Sequence, residues 1–546
     1  MGSAKLDRPG VLSASGSPAV AGAGGEAVPF GLAEALRAPA TWRARFAWPI
    51  AAQTVFDLAT RLLSRSVDLL IATAEPARSV LLLGRSFNRA AALIEAAAAV
   101  EAERALGLRL EGPRDLAVLR GERETDERAP SDTMLMAPPA RKARFPRLRR
   151  IARTKSWTPW WRMPRALLRP EAIVVSHNRL LVSDAARQGA AVRYVPADPM
   201  LADCLGGAPA ASLFASPEAR AALVARTVEA LSDEPLLGRE MRARVKSLLA
   251  PIVAADLAAA DSVLARLDRS PGLPGSIWSG SGGFYPARAL GLAAMRRGGR
   301  VRRYDHGGTA SLMADVNFLA QQELAVSTEL VMPTARAGAA IAGAARRLGT
   351  VPAAAISGSS GDPSLDPGRA WRRSSVPSRR RVIYVASAYY GFSQTFPPFP
   401  PSVVYIDWQH RLLEALARLP IELHHKPHPG GLLRGNPRML AHLAPILTRR
   451  FEDELGGADV VVIDIAATTT LAIAMCSDRP VVLLDMGCMP FNEPVRAEIV
   501  RRCRIVPVVS DARNRLAVDA QALGEAVCGG PDRADPSFFR EFFLGA

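Results

Sequence analysis

Cysteine is scarce in this chain, and its few copies form no recognisable framework. The 546 residues include five cysteines, an odd number, and no two of them make a C-x-x-C pair. Disulfide scaffolds use paired cysteines, and structural zinc sites use closely spaced ones. We therefore expect neither, and the composition is typical of a protein in a reducing cytoplasm.

Long apolar runs are also missing. The best candidate, residues 459–478, is interrupted by Asp464 and three threonines, and no stretch of 18 residues is wholly apolar. A membrane-spanning helix needs about 20 mostly apolar residues. The first residues show neither a myristoylation pattern nor the apolar core of a secretory signal. We therefore expect a cytoplasmic protein without a spanning segment.

Acidic residues are absent from the segment 141–170, which carries 11 Lys or Arg. The formal net charge is +17, so the rest of the chain contributes only +6. Phe145, Trp157, Trp160 and Trp161 stand among these basic residues. Such a segment suits an anionic membrane surface or a polyanionic glycan, or it is a solvated linker. Nucleic acid is an unlikely partner, because no nucleic-acid recognition motif accompanies the charge.

Short apolar runs alternate with helical patterns through most of the chain. Such runs begin at positions 172, 192, 277 and 301, and again at 382, 421, 459 and 481. Continuous apolar strands that alternate with helices indicate parallel sheets covered on both faces. We therefore expect an α/β fold with two Rossmann-like domains facing a cleft, and a mainly helical N-terminal extension. Ligands in such folds bind at the carboxyl ends of the strands.

Shifts in composition give the expected boundaries. We expect, in order, a flexible leader, a helical extension with a linker, a basic Trp-containing connector, an acceptor domain, a second linker, a nucleotide-donor domain and a tail. The corresponding ranges are 1–44, 45–140, 141–170, 171–350, 351–375, 376–535 and 536–546.

The sequence HHKPHPGG at 424–431 follows an apolar run, where a strand is expected to end. Prolines on both sides of His428 fix the backbone around its imidazole. Lys426 and His428 presented together suit a phosphate or pyrophosphate. Two other interpretations stay open. His424 and His425 point to opposite sheet faces, so one of them is an ordinary packed side chain, and a zinc site would need further ligands.

A second motif, DIAATTT at 464–470, lies between a predicted strand and a predicted helix. Hydroxyl groups at a helix start stand beside free backbone N–H groups and the positive end of the helix dipole. An anion site on Thr468, Thr469 and Thr470 is therefore predicted. The alternative is that one of these threonines only caps the helix.

Two glycine-containing loops mark the first α/β block. They are WSGSGG at 278–283 and YDHGG at 304–308. Histidine is the side chain best suited to accept a hydroxyl proton near neutral pH, which makes His306, with Asp305 beside it, the candidate catalytic group. Glycine lets a ligand approach the backbone closely, which adds three candidate binding residues. These are Gly282, Gly283 and Gly307.

These motifs resemble GT-B-fold transferases that build bacterial surface polymers. The resemblance is carried by KPHP at 426–429 and by DVVVIDIAATTTLAIAMCSDRPVVLLD at 459–485. The group includes capsular polysaccharide glycosyltransferases, bacterial sialyl- and Kdo-transferases, and glycerophosphotransferases that use CDP-glycerol. There, a His-Pro motif and a downstream Ser/Thr pair hold the nucleotide phosphates. The matching positions are His428-Pro429 and two of Thr468–Thr470. A His-Gly pair linked to acceptor activation resembles His306-Gly307.

The resemblance covers about 270–490 with motifs and 172–530 more loosely, while 1–170 has no counterpart. It implies transfer of a sugar or alditol-phosphate unit from a nucleotide-activated donor to a surface or lipid-linked glycan at the inner face of the cytoplasmic membrane. His306 would act as the base, with Asp305 orienting or replacing it, and Lys426 would stabilise the departing phosphate. No D-x-D sequence occurs, so we expect no metal and no cofactor. The alternatives are a nucleotide-sugar epimerase of the same fold and a non-catalytic nucleotide- or glycan-binding protein of the export machinery.

Overall fold

A computed structural model describes most of the chain. The described residues are 27–37, 42–84, 86–124, 158, 160–206, 210–281, 283–315, 317–347, 354–368, 379–389, 399–430, 438–529 and 533–546. Strands and helices alternate through these ranges, which confirms the predicted α/β class.

The strands are short and mostly apolar. In chain order they are β1 (Ala27–Pro29), β2 (Arg109–Glu111), β3 (Ala172–Ser176), β4 (Val192–Tyr194), β5 (Ser276–Ser279), β6 (Arg300–Tyr304), β7 (Glu329–Met332), β8 (Ala355–Gly358), β9 (Arg380–Val385), β10 (Ile421–Lys426), β11 (Val460–Ile463), β12 (Val481–Asp485), β13 (Cys503–Ser510) and β14 (Leu516–Val518).

The α-helices connect these strands and make up most of the N-terminal region. They are α1 (Leu32–Arg37), α2 (Ala52–Ile71), α3 (Ala77–Leu83), α4 (Ser86–Leu106), α5 (Arg114–Arg120), α6 (Met163–Leu168), α7 (Arg179–Gln188), α8 (Ala197–Cys204), α9 (Pro217–Ser232), α10 (Arg239–Arg269), α11 (Tyr285–Arg296), α12 (Asn317–Gln322), α13 (Ala335–Arg347), α14 (Ser402–Ala417), α15 (Phe451–Leu455), α16 (Thr469–Met475), α17 (Glu493–Arg502), α18 (Ala520–Cys528) and α19 (Ser537–Leu544).

Twelve of the described strands form two six-stranded sheets. The first has the order β4-β3-β5-β6-β7-β8 and is parallel throughout. The second has the order β10-β9-β11-β12-β13-β14, and only its last pair is antiparallel. Strands such as β11, where all four residues are buried, need cover on both faces, and the intervening helices supply it.

Loops at the carboxyl ends of the two sheets contact each other. The N–H of Ala314, in the chain after β6, donates to the carbonyl of Pro490 at 2.8 Å. The N–H of Asn492 donates back to the carbonyl of Leu312 at 2.8 Å, and Met313 pairs with Phe491 as an isolated antiparallel bridge. These contacts bring the strand ends of both sheets to a common region.

The predicted leader (1–44) is partly structured in its described portion. β1 pairs in parallel with β2, and α1 follows it. Trp48 is fully buried. Its backbone N–H donates to the carbonyl of Arg513 at 2.9 Å, and its backbone carbonyl accepts the side-chain amide of Asn514 at 2.9 Å. The chain therefore contacts the β13–β14 turn of the second sheet before it enters the helical region.

The predicted tail (536–546) contains helix α19. Phe539, Phe542 and Phe543 recur at helical spacing and are buried. The carbonyl of Phe542 accepts the hydroxyl of Thr334 at 2.6 Å, next to the first sheet, and the carbonyl of Phe539 accepts the thiol of Cys476 at 3.5 Å, next to the second. The helix thus packs between both halves, because its apolar stripe needs cover that one sheet alone does not supply.

The segment predicted as a linker (351–375) contributes a strand in its described part. β8 pairs with β7 through the register Glu329 to Ala355 and completes the first sheet. Its two end residues are exposed and its two middle residues are half-buried, and β8 lies at the edge of the sheet. The sequence-based prediction missed it because short, Gly- and Ser-containing edge strands have a weak apolar pattern.

One described helix is long and apolar enough to cross a membrane by length and composition alone. In α10 an 18-residue window has a mean hydropathy of 1.7, and 44% of it is buried. Core helices pass the same test, so this is weak evidence for a membrane span. The buried face of α10, which includes Leu249, Val253 and Leu257, packs against α4 and α9.

Candidate active site

A pocket of about 870 Å³ lies where the strand ends of the two sheets meet. Ligand pockets in proteins typically measure about 300–1,000 Å³. Predicted motif residues that follow strands of both sheets line it, together with Asn88 from helix α4. Its lining includes Asn88, Ser281, Gly283, Asp305, His306, Glu323, Ser387, Lys426, His428, Thr448, Arg449, Arg450, Glu452, Thr468, Thr469 and Thr470.

The glycine loop after β5 is held by hydroxyl and amide groups. Ser176 and Ser279 share a hydrogen bond of 2.8 Å, and the N–H of Ser281 donates to Ser176 at 3.1 Å. The side-chain amide of Asn178 donates to the carbonyls of Gly280 and Asp305 at 2.9 and 2.7 Å. Neighbouring strand ends are thereby tied together. Gly282 lies outside the described residues, whereas Gly283 lines the pocket.

Asp305 begins the turn that follows β6. It is 5% exposed, and its carboxylate accepts the N–H of Gly308 at 2.8 Å. Burial raises the pKa of Asp305 to about 7, against the lowering effect of backbone hydrogen bonds from Gly308 and His306. A carboxyl group in this range exchanges its proton near neutral pH, which suits general acid–base chemistry.

His306 is exposed and lines the pocket. Asp362, from the chain after β8, is buried and lies close enough for the charge of His306 to act on it. Burial raises the pKa of Asp362, while hydrogen bonds from Ser364 and the charges of His306 and Arg179 lower it. A buried carboxyl group within electrostatic reach of the candidate base therefore comes from the segment predicted to be a linker.

Lys426 and His428 lie together at the carboxyl end of β10, as predicted. Lys426 is 9% exposed, and burial lowers the pKa of its ammonium group. Desolvation by nearby groups also lowers the pKa of His428, and the backbone N–H of Gly430 donates to its Nδ1 at 3.0 Å. Because Nδ1 accepts this bond, a neutral ring carries its proton on Nε2. His428 thus offers a hydrogen-bond donor, the group that a phosphate oxygen needs.

The other two histidines of this motif are packed in the fold. His424 hydrogen-bonds Glu422 at 2.8 Å. His425 is 2% exposed and stacks on Tyr384 with a centroid distance of 5.4 Å. Burial lowers the pKa of His425 to about 4. Within the described part of the chain, no group of three or more His, Cys, Asp or Glu could hold a metal ion.

The threonines at 468–470 begin helix α16. Thr468 is the cap, since its hydroxyl accepts the N–H of Leu471 at 3.3 Å and the hydroxyl of Thr470 at 3.0 Å. The predicted alternative, that one of the threonines caps the helix, therefore applies to Thr468. All three threonines line the pocket opposite Asp305 and His306.

Gly307 and Thr469 bring the two predicted motif groups into direct contact. Gly307 has a φ of +89°, a conformation that favours glycine. A Cβ atom at this position would lie 2.3 Å from Oγ1 of Thr469. No side chain fits between the two loops, so this glycine is required by close packing between the sheets.

A buried carboxylate supports the threonine loop from behind. Asp464, the residue after β11, accepts hydrogen bonds from Tyr384 at 2.5 Å, Tyr405 at 3.1 Å and Trp408 at 3.1 Å. Burial raises the pKa of Asp464 to about 6, and these three donors act in the opposite direction. The network ties the start of the loop to β9 and α14.

Several pocket residues were not predicted from the sequence. Thr448, Arg449 and Arg450 reach the pocket because residues 445–447 run beside β10, where the backbone N–H of Leu447 donates to the backbone carbonyl of His425 at 2.9 Å. Basic side chains are so common in this chain that no sequence signal distinguishes these two arginines. Asn88 arrives from α4, far away along the chain.

No family model matches this chain, and no curated protein gives a significant match.

Proposed function

We propose that the protein transfers a sugar or alditol-phosphate unit from a nucleotide-activated donor to a glycan acceptor. The fold would then be two Rossmann-like domains facing a cleft, with the donor on the second sheet and the acceptor on the first. The observation that carries this proposal is the shared pocket. Lys426 and His428, which suit a phosphate, line this pocket together with His306 and Asp305, which suit proton transfer.

The chemistry follows from these positions. An acceptor hydroxyl loses its proton to His306 or Asp305 as its oxygen bonds to the transferred carbon or phosphorus. The bond from that atom to the nucleotide phosphate oxygen breaks, and its electron pair stays on the phosphate. Lys426 and the Nε2–H of His428 are placed to stabilise that charge. The hydroxyl group of Thr469, which lines the pocket at the start of α16, would add a neutral donor.

A thermal-shift panel with CMP, CDP, UDP and GDP tests the donor half of this proposal. A ligand at 100 times its dissociation constant adds about 2.7 kcal/mol of stability. We expect one of the four to raise the melting temperature, and Lys426→Gln to abolish that shift. Lys246→Gln, an exposed lysine paired with Glu229 on the helices, is the matched control. No shift with any nucleotide would contradict the proposal.

Turnover tests the acceptor half. A general base contributes about 10²–10⁴ in rate. His306→Ala should lose activity by that factor and keep the nucleotide-induced shift. If nucleotide binding is lost to the same extent, His306 belongs to the donor site and the assignment of roles is wrong.

A nucleotide-sugar epimerase is the second candidate, and one observation favours it. Asp305 and Glu323 both line the pocket, and the charge of Glu323 contributes to the raised pKa of Asp305. Such a pair could move a proton on and off one sugar carbon. Product analysis separates the two reactions, since an epimerase converts the nucleotide sugar without any acceptor. A non-catalytic binding protein would show the thermal shift and no turnover.

A further inference from the structure

An exposed surface that is both apolar and basic lies on residues 160–169. Trp160 is 78% exposed, Trp161 63% and Leu168 81%. Only seven large apolar side chains are exposed across the described ranges, and three of them fall in this short stretch. Scattered exposed apolar residues are normal, but such a concentration indicates an interaction site.

The stretch is seated against the edge of the first sheet. Ala166 is fully buried, and the guanidinium of Arg193, on edge strand β4, donates to the carbonyl of Leu167 at 3.0 Å. The guanidinium of Arg162 lies against Gly189, where an added Cβ would come within 2.9 Å of it. A solvated linker does not explain these contacts, which hold the tryptophans and Leu168 outward.

The exposed side chains lie on a 3-10 turn and the helix that follows it. Trp160 and Trp161 belong to the turn Trp160–Arg162, and Pro164 and Leu168 are four residues apart on one side of α6. Arg165, 64% exposed, and Arg169 are exposed beside them. Glu171 pairs with Arg165 at 3.2 Å. The sequence just before, 141–157, adds eight Lys or Arg and no acid.

We propose that residues 160–169 form a docking surface for an anionic lipid bilayer. Tryptophan favours the membrane–water interface, Leu168 can enter the acyl boundary, and arginines bind anionic headgroups. A soluble polyanion would use the arginines, but it would leave the two tryptophans and Leu168 exposed. The proposal does not depend on the activity proposed above.

Vesicle flotation of the full chain tests this surface. The two probes are vesicles of phosphatidylcholine with phosphatidylglycerol and vesicles of phosphatidylcholine alone. We expect flotation with the anionic vesicles and at least about tenfold weaker partitioning for the triple variant Trp160→Ser, Trp161→Ser, Leu168→Ser. Arg165→Gln with Arg169→Gln should weaken binding to anionic vesicles only. Salt near 1 M, where the Debye length is about 3 Å, should do the same.

The matched control removes exposed apolar surface elsewhere. Leu236→Ser with Val509→Ser, at sites 55% and 60% exposed, should leave partitioning and melting temperature unchanged. The triple variant should also keep the wild-type melting temperature, since its side chains are exposed. Absence of vesicle binding would overturn the proposal. Vesicle binding by the triple variant at the wild-type level would also overturn it. So would a triple variant that loses self-association but still floats with the vesicles. Equal binding of wild type and triple variant to dextran sulfate, without flotation, would indicate a polyanion site instead.

Discussion

Replacing Gly307 with alanine tests whether the two sheet edges meet as described. The new Cβ would lie 2.3 Å from Oγ1 of Thr469, and the residue must keep a φ of +89°. A left-handed backbone costs an alanine about 1–2 kcal/mol, and overpacking typically costs about 1–3 kcal/mol. We therefore expect Gly307→Ala to lower the free energy of unfolding by about 2–5 kcal/mol.

A second glycine separates the two costs. Gly298 has a φ of +74°, and a Cβ there would meet nothing within 4 Å. Gly298→Ala should therefore show the backbone cost alone, about 1–2 kcal/mol. The difference between the two variants measures the clash with Thr469.

A double-mutant cycle identifies the clashing partner. Thr469→Ala removes Oγ1 and leaves Cβ and Cα at 3.3 and 3.5 Å from the new methyl group, which is close to ordinary contact. It should therefore relieve about 1–2 kcal/mol of the Gly307→Ala penalty. Melting temperatures are a sufficient measure, since 1 kcal/mol corresponds to a shift of about 2–4 °C in a domain of about 150–250 residues. If Gly307→Ala costs no more than Gly298→Ala, or if Thr469→Ala relieves nothing, the two loops do not touch.

Two buried titratable groups should give pH effects of opposite sign. His425 has a folded pKa of about 4, below its ordinary value, so the folded state binds fewer protons than the unfolded state. The free energy of unfolding should therefore rise between pH 4 and 6.5, by up to about 3 kcal/mol. His425→Phe should flatten that rise in pH-dependent melts, with His424→Gln on the same strand as control, and an unchanged slope would contradict the assignment. Asp464 has a folded pKa of about 6, above its ordinary value, so its contribution falls by about 3 kcal/mol as the pH rises from 4 to 6. The free energy of unfolding of Asp464→Asn should therefore increase relative to that of wild type as the pH rises through this window. A difference between the two that stays constant with pH would show that the carboxyl group is not buried.

The N- and C-terminal parts of the chain connect the two sheets in addition to the chain between them. The buried backbone of Trp48 contacts the turn of Arg513 and Asn514, and Phe542 contacts Thr334. Arg288 on α11 donates to the carbonyl of Leu82 at 3.0 Å and so joins the helical region to the first sheet. These contacts help to fix the positions of the two sheets, and the pocket lies between the strand ends of those sheets.

Eight of the described strands, β3 to β6 and β9 to β12, and the polar residues at their ends could be predicted from the sequence alone. Apolar runs such as VVVI at 460–463 can be stable only when covered on both faces, so they predict a parallel sheet. Polar residues directly after such runs must lie at the functional edge, which is why Lys426, His428 and Asp305 could be selected without a structure. Local patterns suffice where the cause is local.

What those residues face depends on the tertiary structure. The contact between Gly307 and Thr469, the arrival of Arg449 and Asn88 in the pocket, and the burial that shifts the pKa values of Asp305 and Asp464 all join residues far apart in the chain. The same holds for β8, whose weak local pattern is stabilised by pairing with β7, and for the position of α19, whose apolar stripe contacts both halves of the fold. Desolvation and close packing depend on every atom around a group, and no sequence window contains those atoms.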